Sequence, residues 1–194
     1  MNNPKIKITK SELLSHNRFL LKKITYEYQN QKNEIQTQSR EIYDRGNGAT
    51  ILLYNKANKS VILTRQLRIP TYFNGNQSGM MIETCAGMLD EDHPEECIRR
   101  EVTEETGYEI ENVKKIFEAY PSPGAVTEIL HFFIGKYSPE MKVHEGGGLE
   151  SEQENIEVLE YPFEDAYNMI ATGEIKDAKT IMLLQYAKIN NLFI

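Results

Sequence analysis

Strand-like runs, some imperfectly alternating and some continuously apolar, fill most of the first half of the chain and then give way to helical spacing. Residues 18–28 (RFLLKKITYEY) and 34–43 (EIQTQSREIY) are β-rich runs separated by the polar connector QNQKN, which predicts a hairpin. The RGNG segment, with Gly46 and Gly48, reads as a turn. A dinucleotide fingerprint would need glycine where Ile51 stands, which excludes that reading. Three apolar runs follow: ATILLYN, SVILTRQLR and MMIETCAGML. The polar turns KANK and NGNQSG separate them, so each predicts a strand. After Asp90 the spacing becomes helical. Pro94 suits the first helical position, Glu95 and Glu96 suit the positive helix end, and Gly107 is placed to end the helix. VKKIFEAY, VTEILHFFIGKY and IEVLEYP predict further strands. Two helices finish the chain, at Phe163–Thr172 and an amphipathic one over 177–189.

Mixed strands with few helices imply an α/β sandwich and not a doubly wound parallel sheet. Residues 1–45 read as a small N-terminal antiparallel β part whose long edges invite pairing with another subunit, and residues 46–194 as the main domain. The one long irregular segment, 138–155, carries Gly146, Gly147 and Gly148 and then Glu150, Glu152 and Glu154. Glycines followed by carboxylates predict a hinged arm that delivers a charge, open and poorly ordered when no metal is bound.

Composition narrows the chemistry. The chain of 194 residues carries a net charge of −7 and no basic stripe, which argues against nucleic acid as a partner. An acidic chain that handles an anionic substrate needs positive charge brought in locally, by placed Arg and Lys or by bound cations. No apolar run approaches membrane-spanning length, and MNNPKIKITKSELLSHN has no continuous apolar core, so a cytoplasmic location is expected. Cys85 and Cys97 form neither a metal-type spacing nor a disulfide framework. His16, His93, His131 and His144 are scattered, so zinc is not expected.

The informative stretch is RREVTEETGY at 99–108. On a helix Glu101, Glu104 and Glu105 stand at i, i+3 and i+4 and share one face. Three such glutamates alone describe a solvated acidic face more readily than a site. As a site they supply carboxylate oxygens, the ligands Mg²⁺ and Mn²⁺ prefer, and a bound cation would reverse their mutual repulsion.

With Gly87 before the helix and Arg100, Glu101, Val102, Glu104, Glu105, Gly107 and Tyr108 in place, the segment resembles the Nudix hydrolase signature, a glycine loop followed by R-E-U-x-E-E-x-G-U. The first half departs from that pattern. His93 occupies the slot of a glutamate that braces the loop in the family, and the spacing to Arg100 is one residue short. Asp92 or Glu96 is placed to compensate. YDRGNGATILLYN, the GNQSG turn, IETCAGMLD, the SPG and VTE segment, the GGG arm with IEVLE, and GEIKDAKT extend the resemblance over nearly the whole chain. They are similar to the GDP-mannose pyrophosphatase branch, close to the ADP-ribose pyrophosphatases.

The resemblance implies a Nudix α/β/α sandwich with a mixed sheet, and an N-terminal β part exchanged across a homodimer. It implies metal-dependent hydrolysis of the diphosphate of a nucleotide sugar, GDP-mannose first and ADP-ribose or another nucleotide sugar second. A sensor that binds without cutting is the reading of a different class. Carried over residue by residue, the metal (Mg²⁺ or Mn²⁺) would be held by Glu101, Glu105, Glu104, Glu154 and the carbonyl of Ala86. Glu154, then Glu152, then Glu104 are the candidates for the catalytic carboxylate. Substrate contacts would come from Arg18, Arg40, Glu41, Arg68, Ala86, Gly87, Met88, Glu128 and Lys179.

Overall fold

The architecture is that of a computed structural model, which describes residues 3–89 and 91–193. The chain forms two compact units. One holds the chain up to Asn47 together with Tyr120–Ile129, and the other holds Gly48–Ala119 and the chain from Leu130 on.

The first unit is an antiparallel sheet of β1 (Ile6–His16), β2 (Leu20–Gln29) and β3 (Ile35–Asp44), in that order. The expected hairpin is β2–β3. The Asn30 side chain closes its turn by accepting the Lys32 and Glu34 N–H groups at 2.8 and 3.0 Å. The strand β1 was not legible, because IKITKSELLSH stays mostly exposed and shows no clean apolar face. Its pairing with β2 carries two register shifts.

The second unit is a mixed sheet between two helical layers. It contains β4 (Gly48–Asn55), β5 (Ser60–Leu67), β6 (Met80–Glu83), β7 (Ala86–Met88), β8 (Val113–Ala119), β9 (Leu130–Lys136) and β10 (Glu157–Pro162). The main path runs β10-β5-β4-β9-β8, with β6 on β5 and β7 on β4. Only β4–β9 is parallel among these pairs.

Every residue of β4 is buried, which explains why ATILLYN reads as a continuous apolar run and not an alternating one. Its period of two splits the core. Ala49, Ile51 and Leu53 face Cys97, Ile98 and Val102 of α2 (Pro94–Thr106), whereas Leu52 and Tyr54 pack with α3 (Phe163–Thr172) and α4 (Ala178–Ile189). Burying each such Leu or Ile is worth roughly 1.5–3 kcal/mol. In α4 the buried residues Thr180, Leu183, Leu184 and Ala187 follow helical spacing. The α/β/α sandwich with a mixed sheet is the fold expected from the sequence.

Three expectations need correction. MMIETCAGML is not one strand. It breaks at Thr84 and Cys85, so that β6 pairs with β5 and β7 crosses to β4. VTEILHFFIGKY is strand only from Leu130, and the residues before it belong to the first unit. A short helix, α1 (Ile69–Tyr72), follows β5 with Pro70 in its first turn, where only a polar turn was foreseen.

Candidate active site

The break between β6 and β7 brings the strand end to the carboxylate helix. It is fixed by a buried threonine network. Thr84 N–H donates to Thr180 Oγ1 at 2.7 Å, Thr50 and Thr84 hydroxyls lie 2.9 Å apart, and Thr50 Oγ1 donates to the Cys85 carbonyl at 3.0 Å. The next residue, Ala86, donates its N–H to Glu105 Oε2 at 3.3 Å. Gly87 then lies directly against the Glu101 side chain.

Helix α2 presents its glutamates unequally. Glu105 is 2 % exposed. Burial pushes its carboxyl up to about 8, and the charges of Glu101 and Glu154 add to the rise, against hydrogen bonds from Cys85 and Ala86. Glu101 is largely covered and lies 3.2 Å from Arg100 Nη1. Glu104 accepts from the same guanidinium nitrogen at 3.1 Å. Arg100 also reaches Asp92 Oδ2 at 3.5 Å, so Asp92 ties the loop to the helix. His93 is the N-cap residue of α2, without a side-chain cap bond.

The arm is not the free hinge expected. Gly147 N–H donates to the Glu105 carbonyl at 2.9 Å and Gly148 N–H to the Glu104 carbonyl at 3.1 Å. These are last-turn carbonyls that a helix leaves unsatisfied. Gly146, Gly147 and Gly148 have φ of +74°, +113° and +80°, so glycine is needed here for left-handed backbone rather than for mobility. Beyond them, Glu154 Oε2 accepts from Leu149 N–H at 3.1 Å and closes a small loop. The backbone of Glu152 lies in a 3-10 turn, Glu150–Glu152; its side chain lies outside what the structure describes.

A second cluster flanks this one. Glu83, at the end of β6, has a side chain only 4 % exposed. Arg68 Nε and Nη2 donate to its two oxygens at 2.7 and 3.1 Å, and Lys179 Nζ donates to Oε2. Lys179 also lies 3.0 Å from Asp177 Oδ1, and Asp177 caps α4 by accepting from Thr180 N–H at 2.9 Å. Burial alone would raise the Glu83 carboxyl, but the two cations outweigh it and hold it below its ordinary value. Burial opposes the charge of Arg68, and Glu83, Glu105 and Asp177 more than restore it. Arg68 and Lys179 were expected at the site. Glu83 was missed, although a lone charge inside the apolar run MMIETCAGML was the signal for it.

Of the remaining predicted residues, Arg18, Arg40, Glu41 and Glu128 belong to the first unit and Met88 to the second. Arg18 sits in the β1–β2 turn over the Phe19 ring, 5.5 Å from its centroid. Arg40 and Glu41 lie exposed on β3, Arg40 bonding the Ser39 carbonyl and Gln38 Oε1. Glu128 pairs with Arg45 at 3.7 Å. Met88 lies on β7, and its carbonyl accepts from Cys97 Sγ at 3.2 Å.

Among the described residues no three His, Cys, Asp or Glu side chains stand together as a ready metal cage. The donor chemistry nevertheless fits a hard divalent cation. The groups are oxygen donors, and Glu105 is a buried carboxyl under the repulsion of Glu101 and Glu154, which a cation would relieve.

Residues 5–43 match the model described as the GDP-mannose pyrophosphatase NudK N-terminal domain, and residues 44–184 match the NUDIX domain. The chain is similar to the GDP-mannose pyrophosphatase of Yersinia enterocolitica serotype O:8, at 58 % identity over 188 residues and 97 % of each chain. It is also similar to those of Shigella flexneri serotype 5b and Escherichia coli O1:K1. These are 55 % and 54 % identical over 187 residues, covering 96 % of this chain and 97 % of each relative.

Proposed function

The chain belongs to the NUDIX family, and from that premise we propose that it hydrolyses the diphosphate bond of GDP-mannose to GMP and mannose 1-phosphate. The observation that carries the reading is the buried Glu105 carboxyl beside Glu101, facing the Ala86–Gly87 backbone, with the cations Arg68 and Lys179 gathered on the neighbouring Glu83. Relatives of nearly equal length that carry the name GDP-mannose pyrophosphatase support the choice of substrate.

Glu101 and Glu105, with the Ala86 carbonyl and then Glu104 and Glu154, would hold Mg²⁺ or Mn²⁺. That ion supplies neutralisation of the diphosphate charge and a lowered pKa for an attacking water. The chain's own part is positioning and electrostatics. Arg68 offers planar donors to a phosphoryl oxygen, and Lys179 adds a point charge. Glu154 is the first candidate to orient or deprotonate the water, Glu152 the second. Residues 1–45 form the dimer-making part and 46–194 the hydrolase domain. Arg18, Arg40, Glu41 and Glu128 complete the substrate contacts, in a homodimer. A cytoplasmic setting belongs to the same reading; no described helix is long and apolar enough to cross a membrane.

The test is release of nucleoside monophosphate from a panel of nucleotide sugars with Mg²⁺ or Mn²⁺. GDP-mannose should have the highest kcat/KM. A preference for ADP-ribose would move the substrate within the same chemistry. Tight binding without release would leave a sensor and sink the hydrolase reading.

A further inference from the structure

Glu83 is a buried carboxylate shared by two cations from distant parts of the chain. Arg68 follows β5, and Lys179 lies in the first turn of α4. Without an anion between them, two such cations would repel each other. Among the described residues Lys179 would retain only Asp177, which is itself engaged by Thr180 at 2.9 and 2.6 Å. The pairing with Glu83 uses the Nε–H and one N–H of Nη2. A guanidinium has five N–H donors, so the fork on Glu83 fixes its plane and leaves donors over for another oxyanion.

We propose that Glu83 is a positioning residue: it holds Arg68 and Lys179 in one arrangement from which their remaining donors receive a phosphoryl oxygen of the substrate. This rests on the diphosphate hydrolase reading. Glu83 does not touch the reacting atoms in this role. Its backbone supports the placement, since its carbonyl accepts from Thr64 Oγ1 at 3.3 Å and the following Thr84 is locked to Thr180. The backbone that carries the carboxylate is therefore held in place on both sides.

The experiment compares wild type, Glu83→Gln and Glu83→Asp with GDP-mannose as the probe, reading KM, kcat and melting temperature. Glu83→Gln removes the charge at nearly constant shape. Its KM should rise about tenfold or more, with kcat changed much less, because a ground-state phosphate contact is lost. Glu83→Asp keeps the charge and so protects the fold, but draws the carboxylate back by one methylene. Its KM should rise by a smaller factor. A folded Glu83→Asp or Glu83→Gln with wild-type KM overturns the role of Glu83 while wild-type turnover leaves the hydrolase reading intact. A lower melting temperature with unchanged KM would mark a merely structural ion pair and also overturns it. Absence of wild-type turnover on the whole panel would instead remove the reading on which the proposal stands.

Discussion

Gly87 and Glu101 are packed so closely that a methyl group on Gly87 would fall 2.1 Å from Glu101 Cδ. With glycine at this point the strand β7 passes the carboxylate helix without displacing Glu101. The obstacle is the end of a side chain, not backbone, so Glu101 can move aside. Gly87→Ala should cost only about 1–3 kcal/mol of stability while lowering kcat/KM roughly a hundredfold, because the proposed ligand Glu101 is displaced by about an ångström. Thermal melts and steady-state kinetics on the one variant separate the two effects. Wild-type kinetics would show that Glu101 has no fixed place in the reaction.

Activity should require Mg²⁺ or Mn²⁺ and vanish in excess chelator. Glu105→Gln should lower kcat by on the order of a hundredfold with the fold retained, since the proposed charged ligand is lost where electrostatics dominates the barrier. Full turnover in chelator would contradict the metal. A near wild-type rate for the variant would remove Glu105 from the ligand set.

The metal-free protein should lose stability as pH rises. The folded Glu105 carboxyl titrates at about 8, above the ordinary glutamate value of about 4.3. Between these values the folded state binds a proton that the unfolded chain does not. The stabilisation is complete below the lower value and is lost as pH climbs through the upper one. Denaturation in chelator from pH 5 to 9 should show a decline on the order of a few kcal/mol that Glu105→Gln lacks. Added divalent cation should restore stability at high pH by mass action. Parallel curves for the two proteins would refute the buried titration.

Glu154→Gln should lower kcat strongly and change KM little, the pattern of an interaction made in the transition state. Glutamine can still accept the Leu149 N–H, so a loss cannot be laid to collapse of the loop. Glu152→Gln should do less. If Glu152→Gln is the crippling change, the catalytic carboxylate of the arm is Glu152. If neither lowers kcat, Glu104 is next.

Sedimentation should show a homodimer, and Arg18→Ala or Arg40→Ala should raise KM if those side chains reach a partner's site. A stable, fully active monomer at micromolar concentration would contradict the exchange of N-terminal parts.

The sequence by itself determined whatever depends on near neighbours. The RREVTEETGY face, the Pro94 start and Gly107 stop of its helix, the β2–β3 hairpin and the strand β4 all follow from spacing of a few residues, where backbone geometry fixes which side chains share a face. The family signature was legible for the same reason. Only the tertiary structure decided which carboxylates are buried and what holds them. Glu104 turns to Arg100, Glu105 goes under, and Glu83 gathers cations from residues 15 and 96 positions away. The split of MMIETCAGML into strands on different partners, and the docking of Gly147 and Gly148 on the end of α2, are likewise pairings across the chain. Such pairings depend on which distant donor meets which acceptor once the sheet has closed, and no local period encodes that.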